Sequence, residues 1–257
     1  MAMPHVFDLV QLRRGCAQCS LQQLCLPAGI DPAELPSLEA IVRRRRTMRP
    51  GERLFRPGDA LHALYVAHDG AFKTISTSEE GEEQIMGFHL SGELMGLDAL
   101  GSGMHRCEAV ALTSANVCEV PFDALTGIAA LLPGLQQQLL RVIGRSVDRD
   151  FDHMELLAKR QANDRIALFL CGLGERLQHV GLSPTDIRLP MSREDVASFL
   201  GLALETVSRG FGRLQDDGVI SVHGRRVEIL DMEELLRLAQ HGQESPAPQV
   251  RARRIAR

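Results

Sequence analysis

The stretch SREDVASFLGLALETVSRGFGRLQDDG, residues 192–218, decides how the C-terminal part of the chain folds. Ser192 can cap a helix, and Asp195 three positions on completes a capping-box pattern. Val196, Phe199 and Leu200 give that helix a buried face, and Gly201 breaks it. A second helix follows from about Leu204, with Val207, Phe211 and Leu214 at helical spacing, and Gly218 ends it. Two short helices joined by a tight Gly-containing turn make a helix-turn-helix. Downstream, the run from Val219 to Leu230 forms two strand-like pieces around Gly224, a hairpin that would serve as the wing of a winged helix.

On the second helix Glu205, Ser208 and Arg209 stand at i, i+3 and i+4, opposite the apolar positions and near the N-terminus. A carboxylate accepts from a cytosine amino group, Arg donates twice to guanine, and Ser bonds to several bases. Arg188, Arg193, Arg213, Arg225 and Arg226 are candidate phosphate contacts, which set affinity and salt dependence rather than sequence choice. The bland alternative is an exposed helix whose charges only solvate it. The attached wing favours double-stranded DNA as the partner.

Upstream, residues 163–180 read as an amphipathic helix and 182–188 as a loop. From about 135 to 160 only Gly144 interrupts a long helical pattern. There Leu140, Ile143, Val147, Asp150, Met154 and Leu157 recur at heptad spacing, a narrow seam that predicts a partner helix and hence a homodimer. Asp150 breaks the apolar seam. Two-fold symmetry would bring two carboxylates together, at a cost of a few kcal/mol at most. Such a seam is poised near balance, where a small outside contribution decides it.

Residues 47–122 have another texture. Short apolar runs alternate with turns such as Pro50-Gly51, Asp69-Gly70 and Ser91-Gly92 about every ten residues, which predicts a β-sandwich or barrel. Before it, residues 33–46 read as a helix running into the basic block Arg43–Arg46. The C-terminal residues 242–257 carry Ser, Pro, Gln and four Arg with few apolar residues, and read as a disordered tail.

Composition bounds the rest. The 257 residues carry 29 Lys and Arg against 33 Asp and Glu, a net charge of −4 that by itself argues against a nucleic-acid partner. No apolar run is long enough to span a membrane, and the charged N-terminus lacks the apolar stretch of a secretory signal, so the expected compartment is the cytoplasm. No Ser/His/Asp grouping, Walker loop or dinucleotide fingerprint points to an enzyme. Six cysteines are present, and Cys16, Cys19 and Cys25 fall within ten residues. Three thiolates from one loop and a fourth from elsewhere suit an iron–sulfur cluster. Cys107, Cys118 and Cys171 are all candidates for the fourth, and spacing does not choose.

With these residues in hand, the sequence resembles the oxygen-responsive FNR regulators of the CRP/FNR superfamily. The resemblance runs through CAQCSLQQLC at 16–25, GEEQIMGFHLSGELMGLDALGSG at 81–103, VCEVPF at 117–122 and GLALETVSRGFGRLQDDGVI at 201–220. Together with the composition of the tail, which extends past the family pattern, it implies an α+β chain in five parts. These are a cluster-binding segment (1–30), a jelly-roll β-barrel sensor of the cyclic-nucleotide-binding type (31–133), a dimerisation helix (134–160), a winged helix-turn-helix (161–241) and a tail (242–257). It further implies a [4Fe–4S] cluster on Cys16, Cys19, Cys25 and Cys118, a dimer while the cluster is intact, and reading of TTGAT inverted repeats by Glu205, Ser208 and Arg209. It also implies a contact with RNA polymerase around Gly81, and gives Asp150 the place of the family's acidic dimer-helix residue. Cys107 and Cys171 are left structural.

The alternative within the superfamily is a cyclic-nucleotide receptor. Its phosphate cassette carries an acid for the ribose and an Arg-Ser pair for the phosphate. Here Leu97 stands at the acid's place, Arg106 is followed by Cys107, and Leu204 replaces the extra guanine-reading Arg.

Overall fold

A computed structural model describes residue 16, residues 19–159 and residues 161–240. The first fifteen residues of the N-terminal segment, and the tail whose disorder the composition predicts, lie outside the described residues.

Residues 43–121 form a double-sheet jelly roll. Its strands are β1 (Arg43–Met48), β2 (Arg53–Phe55), β3 (Ala63–Asp69), β4 (Phe72–Thr77), β5 (Glu83–His89), β6 (Leu94–Met95), β7 (Glu108–Ala111) and β8 (Ala115–Pro121). One sheet has the order β1-β8-β3-β6 and the other β2-β7-β4-β5, all pairs antiparallel. Met48, Ala67, Phe72, Met95, Ala109 and Val117 fill the space between them. Side chains of a strand alternate between faces. Leu64, Val66, Cys118 and Val120 therefore lie on the outer face of the first sheet, and Ile75, Ile85 and Val110 on the outer face of the second.

Each outer face is covered. The first carries the cysteine segment, α1 (Leu35–Ile41), α2 (Phe122–Ala129) and the start of α3 (Pro133–Ala158). The second packs against the C-terminal module. That module comprises α4 (Ala162–His179), β9 (Asp186–Arg188), α5 (Arg193–Leu200), α6 (Leu204–Asp216), β10 (Ile220–His223), β11 (Arg226–Ile229) and α7 (Met232–Gln240). Helices and sheets thus combine as an α+β fold of jelly roll, long helix and winged helix.

Two expectations are corrected. The helix predicted over 33–46 stops at Ile41, and Arg43–Met48 is the edge strand β1, paired with β8. An arginine run carries no period to reveal a strand. As an edge it lets long cations reach solvent and acids, Arg43 with Glu119 at 3.2 Å and Arg46 with Glu52 at 2.7 Å. The loop predicted over 182–188 contains β9, which extends the wing hairpin through Ile187 opposite Val227. With Ile187 as its single buried residue, β9 is too short to show alternation.

Candidate functional site

The reading helix is set by local chemistry. Ser192 Oγ accepts from the Asp195 amide at 3.0 Å, and the Asp195 carboxylate accepts from the Ser192 amide at 2.8 Å, closing the capping box of α5. Gly201 takes φ 61°, a left-handed turn that a side chain rarely adopts, and α6 starts three residues later. Val207, Phe211 and Leu214 are buried, which leaves Glu205, Ser208 and Arg209 exposed along the opposite face near the N-terminal end. Arg213 continues that surface.

The other basic candidates divide. Arg225 is exposed on the wing, with Nη1 donating to the Pro190 carbonyl at 3.2 Å. Arg226 is held bidentately by Asp186 at 2.7 and 2.8 Å, so its charge is already matched. Arg188, Arg225 and His223 line a pocket beside that pair. Arg193 departs most from a phosphate contact. Its guanidinium stacks on the Phe211 ring at 3.6 Å, and Nη1 is buried with no hydrogen-bond partner among the described residues.

The module is bolted to the second sheet by polar groups around an apolar patch. Lys73 reaches Asp195 at 2.6 Å, the Ile85 amide donates to Ser198 Oγ at 3.0 Å, and Gln84 donates to the Ser198 carbonyl. Arg176 of α4 forks onto Glu93 at 2.9 and 2.7 Å and also donates to the Phe88 carbonyl. Arg149 of α3 lies 3.8 Å from the same carboxylate. Burial alone would push Glu93 up. The charge and hydrogen bonds of Arg176, with Arg149 behind them, reverse this and hold its carboxyl at about 2. Beside it His89 is lowered to about 4 by burial, and its Nδ1 has no hydrogen-bond partner among the described residues. From α3, His153 stacks on Phe199 at 3.9 Å and donates to the Phe199 carbonyl at 2.8 Å. These ties were invisible in the sequence, because their partners lie up to 122 positions apart.

The seam of α3 is unpaired within one chain. Leu140 is 63% exposed, Val147 45%, Met154 56% and Leu157 38%, with Ile143 half-buried and Asp150 exposed between them. Phe151, 61% exposed, extends the stripe. Its place four after Val147 and three before Met154 was the signal that could have found it. Burying each such side chain contributes roughly 1.5–3 kcal/mol, so a continuous stripe of them is a face built for a partner. Partial burial pushes the Asp150 carboxyl up, while Arg149 and His153 pull it down.

The cysteines separate by place. Cys16, Cys19, Cys25 and Cys118 line one pocket, walled by Leu21, Leu26, Leu38, Val66 and Val120. Residues 19–30 form a chain of turns. Its i+3 hydrogen bonds include Cys19 N to the Cys16 carbonyl and Ala28 N to the Cys25 carbonyl. Burial, and then the nearby Cys118, Cys16 and Cys19, push the Cys25 thiol up to about 12. His68 Nε2 meets Cys19 Sγ at 3.6 Å. Among the described residues no three His, Cys, Asp or Glu converge on a site for one metal ion. Four thiols on apolar walls, without a carboxylate, are a soft donor set that fits an iron–sulfur cluster, in which four cysteines share the irons. Cys171 is buried in the core under the winged helix, away from that pocket.

Cys107 belongs to a different cluster. The Asp98 carboxylate accepts from the amides of Arg106 at 2.8 Å and Cys107 at 3.3 Å, from Cys107 Sγ at 3.3 Å and from His105 Nδ1 at 3.2 Å. Asp98 thus engages the backbone amides of Arg106 and Cys107 and the Cys107 thiol, while the Arg106 side chain stays exposed.

The fold and these surfaces define a class: a winged-helix DNA-binding regulator with a jelly-roll sensor. Residues 45–130 match the cyclic nucleotide-binding domain family and residues 164–238 the Crp-like helix-turn-helix domain family. Over 226 residues the chain is 40% identical to the fumarate and nitrate reduction regulatory protein of Escherichia coli K12, covering 88% of this chain and 90% of that one. It is 43% identical to the transcriptional activator protein FnrA of Stutzerimonas stutzeri, covering 89% and 94%. The structure of FixK2 from Bradyrhizobium japonicum aligns with TM-score 0.69 and 28% identity, over 77% of this chain and 97% of that one. The chain belongs to the FNR-type regulators of the CRP/FNR family. It is a transcription regulator that binds DNA, and no helix among the described residues is long and apolar enough to cross a membrane.

Proposed function

We propose that this regulator responds to oxygen through a [4Fe–4S] cluster held by Cys16, Cys19, Cys25 and Cys118, and controls anaerobic gene expression from the cytoplasm. The observation that carries the reading is the meeting of three clustered cysteines with Cys118 of β8 around one apolar pocket. A bound cluster would supply an oxygen-labile crosslink between the turn segment and the sheet.

The chain's own residues do the rest. Cys16, Cys19 and Cys25 tie the segment down, and Cys118 anchors it to the jelly roll. The seated segment favours pairing of α3 through Leu140, Ile143, Val147, Met154 and Leu157, against the repulsion of two Asp150 carboxylates. Pairing sets two α6 helices about one DNA turn apart. Glu205, Ser208 and Arg209 then read TTGAT-type half-sites as an inverted repeat, with Arg213 and Arg225 on phosphates. Arg193 joins them only by leaving the Phe211 ring. The β4–β5 turn at Gly81, flanked by exposed Glu80 and Glu82, is the proposed contact with RNA polymerase.

Protein purified without oxygen should be brown, contain iron and sulfide, bind a TTGAT inverted repeat, and lose colour and binding in air. Colourless protein with full DNA binding would remove the cluster from the account.

A further inference from the structure

The helix that carries the seam also touches the cysteine segment, through a different face. Gln138 of α3 is only 2% exposed, and its Nε2 donates to the backbone carbonyl of Cys25 at 3.0 Å. One turn earlier, Gly134 lies against the same segment: a Cβ there would sit 2.8 Å from the Gly29 carbonyl oxygen. The two contacts are made to the backbone of the cysteine segment, at Cys25 and at Gly29. Leu135 and Val142, on the same side, are buried in the core that holds Leu26 and Ile30. From Gln138 the helix runs uninterrupted to Asp150, about 18 Å further along at 1.5 Å per residue.

A buried side-chain amide needs a hydrogen-bond partner, most often backbone or water. Gln138 spends a donor on a loop carbonyl 113 positions earlier in the chain. That carbonyl belongs to Cys25, one of the four thiols that line the pocket. A shift of the segment breaks this bond and moves it off Gly134. Both losses fall on the first turns of α3, in the same rigid helix as the seam.

We infer that Gln138 is a positioning residue that couples the seating of the cysteine segment to the pairing of α3, with Gly134 providing the close approach. Gln138 meets Cys25 only at its backbone carbonyl, does not itself line the cysteine pocket, and is absent from the seam. It makes the seam's geometry depend on where Cys25 sits. The inference rests on the cluster reading for what seats the segment, but its contact is present in the polypeptide itself.

The test uses the full chain, purified anaerobically, with two readouts per sample. Iron and sulfide content reports the pocket, and sedimentation reports the dimer. Gln138→Met keeps the volume and removes the donor, and Gln138→Glu replaces the donor with an acceptor. Both should load iron and sulfide as the parent does, while the dimer dissociation constant rises on the order of fivefold, the scale of one lost hydrogen bond, since the Cys25 carbonyl keeps the Ala28 amide as a donor. Gly134→Ala should weaken the dimer likewise by lifting the segment. An unchanged dimer at full loading would overturn the inference. So would parallel loss of iron and dimer in all three variants, which would make Gln138 merely part of the pocket. Iron missing from the parent protein fails the cluster reading instead. A dimer weakened by Gln138→Met would even then support the coupling.

Discussion

The two outer faces of the jelly roll are covered in different ways. On the β4–β5 side the winged helix shares one apolar core with the sheet, and adds a closed capping box and polar bolts to the sheet at Lys73–Asp195, Ser198 and Glu93–Arg176. On the β3–β8 side the cysteine part of the cover is a succession of turns, held by buried Leu21, Leu26 and Ile30, by the amide of Gln138 and by Cys19 against His68. Turns without a helix or sheet ladder open at low free-energy cost. The winged helix is thus held by many contacts, whereas under the proposed function the cysteine segment gains most from a group that would crosslink its thiols. The helix α3 meets both faces, at Gln138 on one and at Arg149 and His153 on the other.

Removing the anchor should break this contrast most severely. Cys118→Ala is expected to abolish iron and sulfide loading and anaerobic DNA binding, measured by metal analysis and gel shift. Cys107→Ala, in the Asp98 cluster, should load normally. The reverse result would move the fourth ligand to Cys107.

Asp150→Ala relieves the seam and should keep the protein dimeric in air, tightening pairing on the order of a hundredfold if two carboxylates meet in a partly desolvated contact. Sedimentation of the aerobic variant measures this, and a monomer there would count against the seam account.

On the reader, Glu205→Ala should cost about 1–3 kcal/mol of discrimination at one base pair and leave the salt dependence nearly unchanged. Binding titrations on matched and mutated half-sites at several salt concentrations separate the two. An equal loss on every sequence would make Glu205 a positioning group.

The smallest effect at neutral pH concerns the reader's bolts. His89 is held neutral, with its value lowered from 6.5 to about 4. The unfolded chain therefore takes up the proton first. Stability is full above about pH 6.5 and falls as the pH drops toward 4. His89→Gln should flatten that part of a stability-against-pH curve from denaturant unfolding. Glu93 works in a lower window: its stabilisation is present above 4.5 and is lost as the pH falls toward 2, so the two residues can be told apart.

The sequence revealed most where chemistry is local. The capping box, the Gly201 turn, the apolar stripes of α5 and α6 and the heptad of α3 all repeat at short spacing, and each element was legible. The fold class followed from them together with the turn spacing and the family resemblance. The jelly roll's two-sheet order was not readable from spacing, because strand pairing is non-local. An arginine edge strand and a strand with one buried residue show no period at all. For the candidate site, three cysteines announced themselves by proximity. Cys118 came only through resemblance, because nothing in its neighbourhood of sequence shows that strand parity turns it toward the segment beside Val66. The bonds of Gln138, Glu93 and Lys73 join distant parts of the chain and needed coordinates. The net charge of −4 misled as a whole-chain average, because it hides local surfaces such as the exposed Arg209, Arg213 and Arg225 on α6 and the wing.

The central claim is that an intact thiol crosslink on one face of the jelly roll holds the dimer seam together. It is tested most directly by sedimentation of one anaerobic sample before and after air, with iron and sulfide measured at both points. The account predicts a dimer carrying about four irons and four sulfides per chain, giving way to monomers as the iron leaves. A particle of unchanged mass after the iron has gone, or a dimer that never held iron, would contradict it.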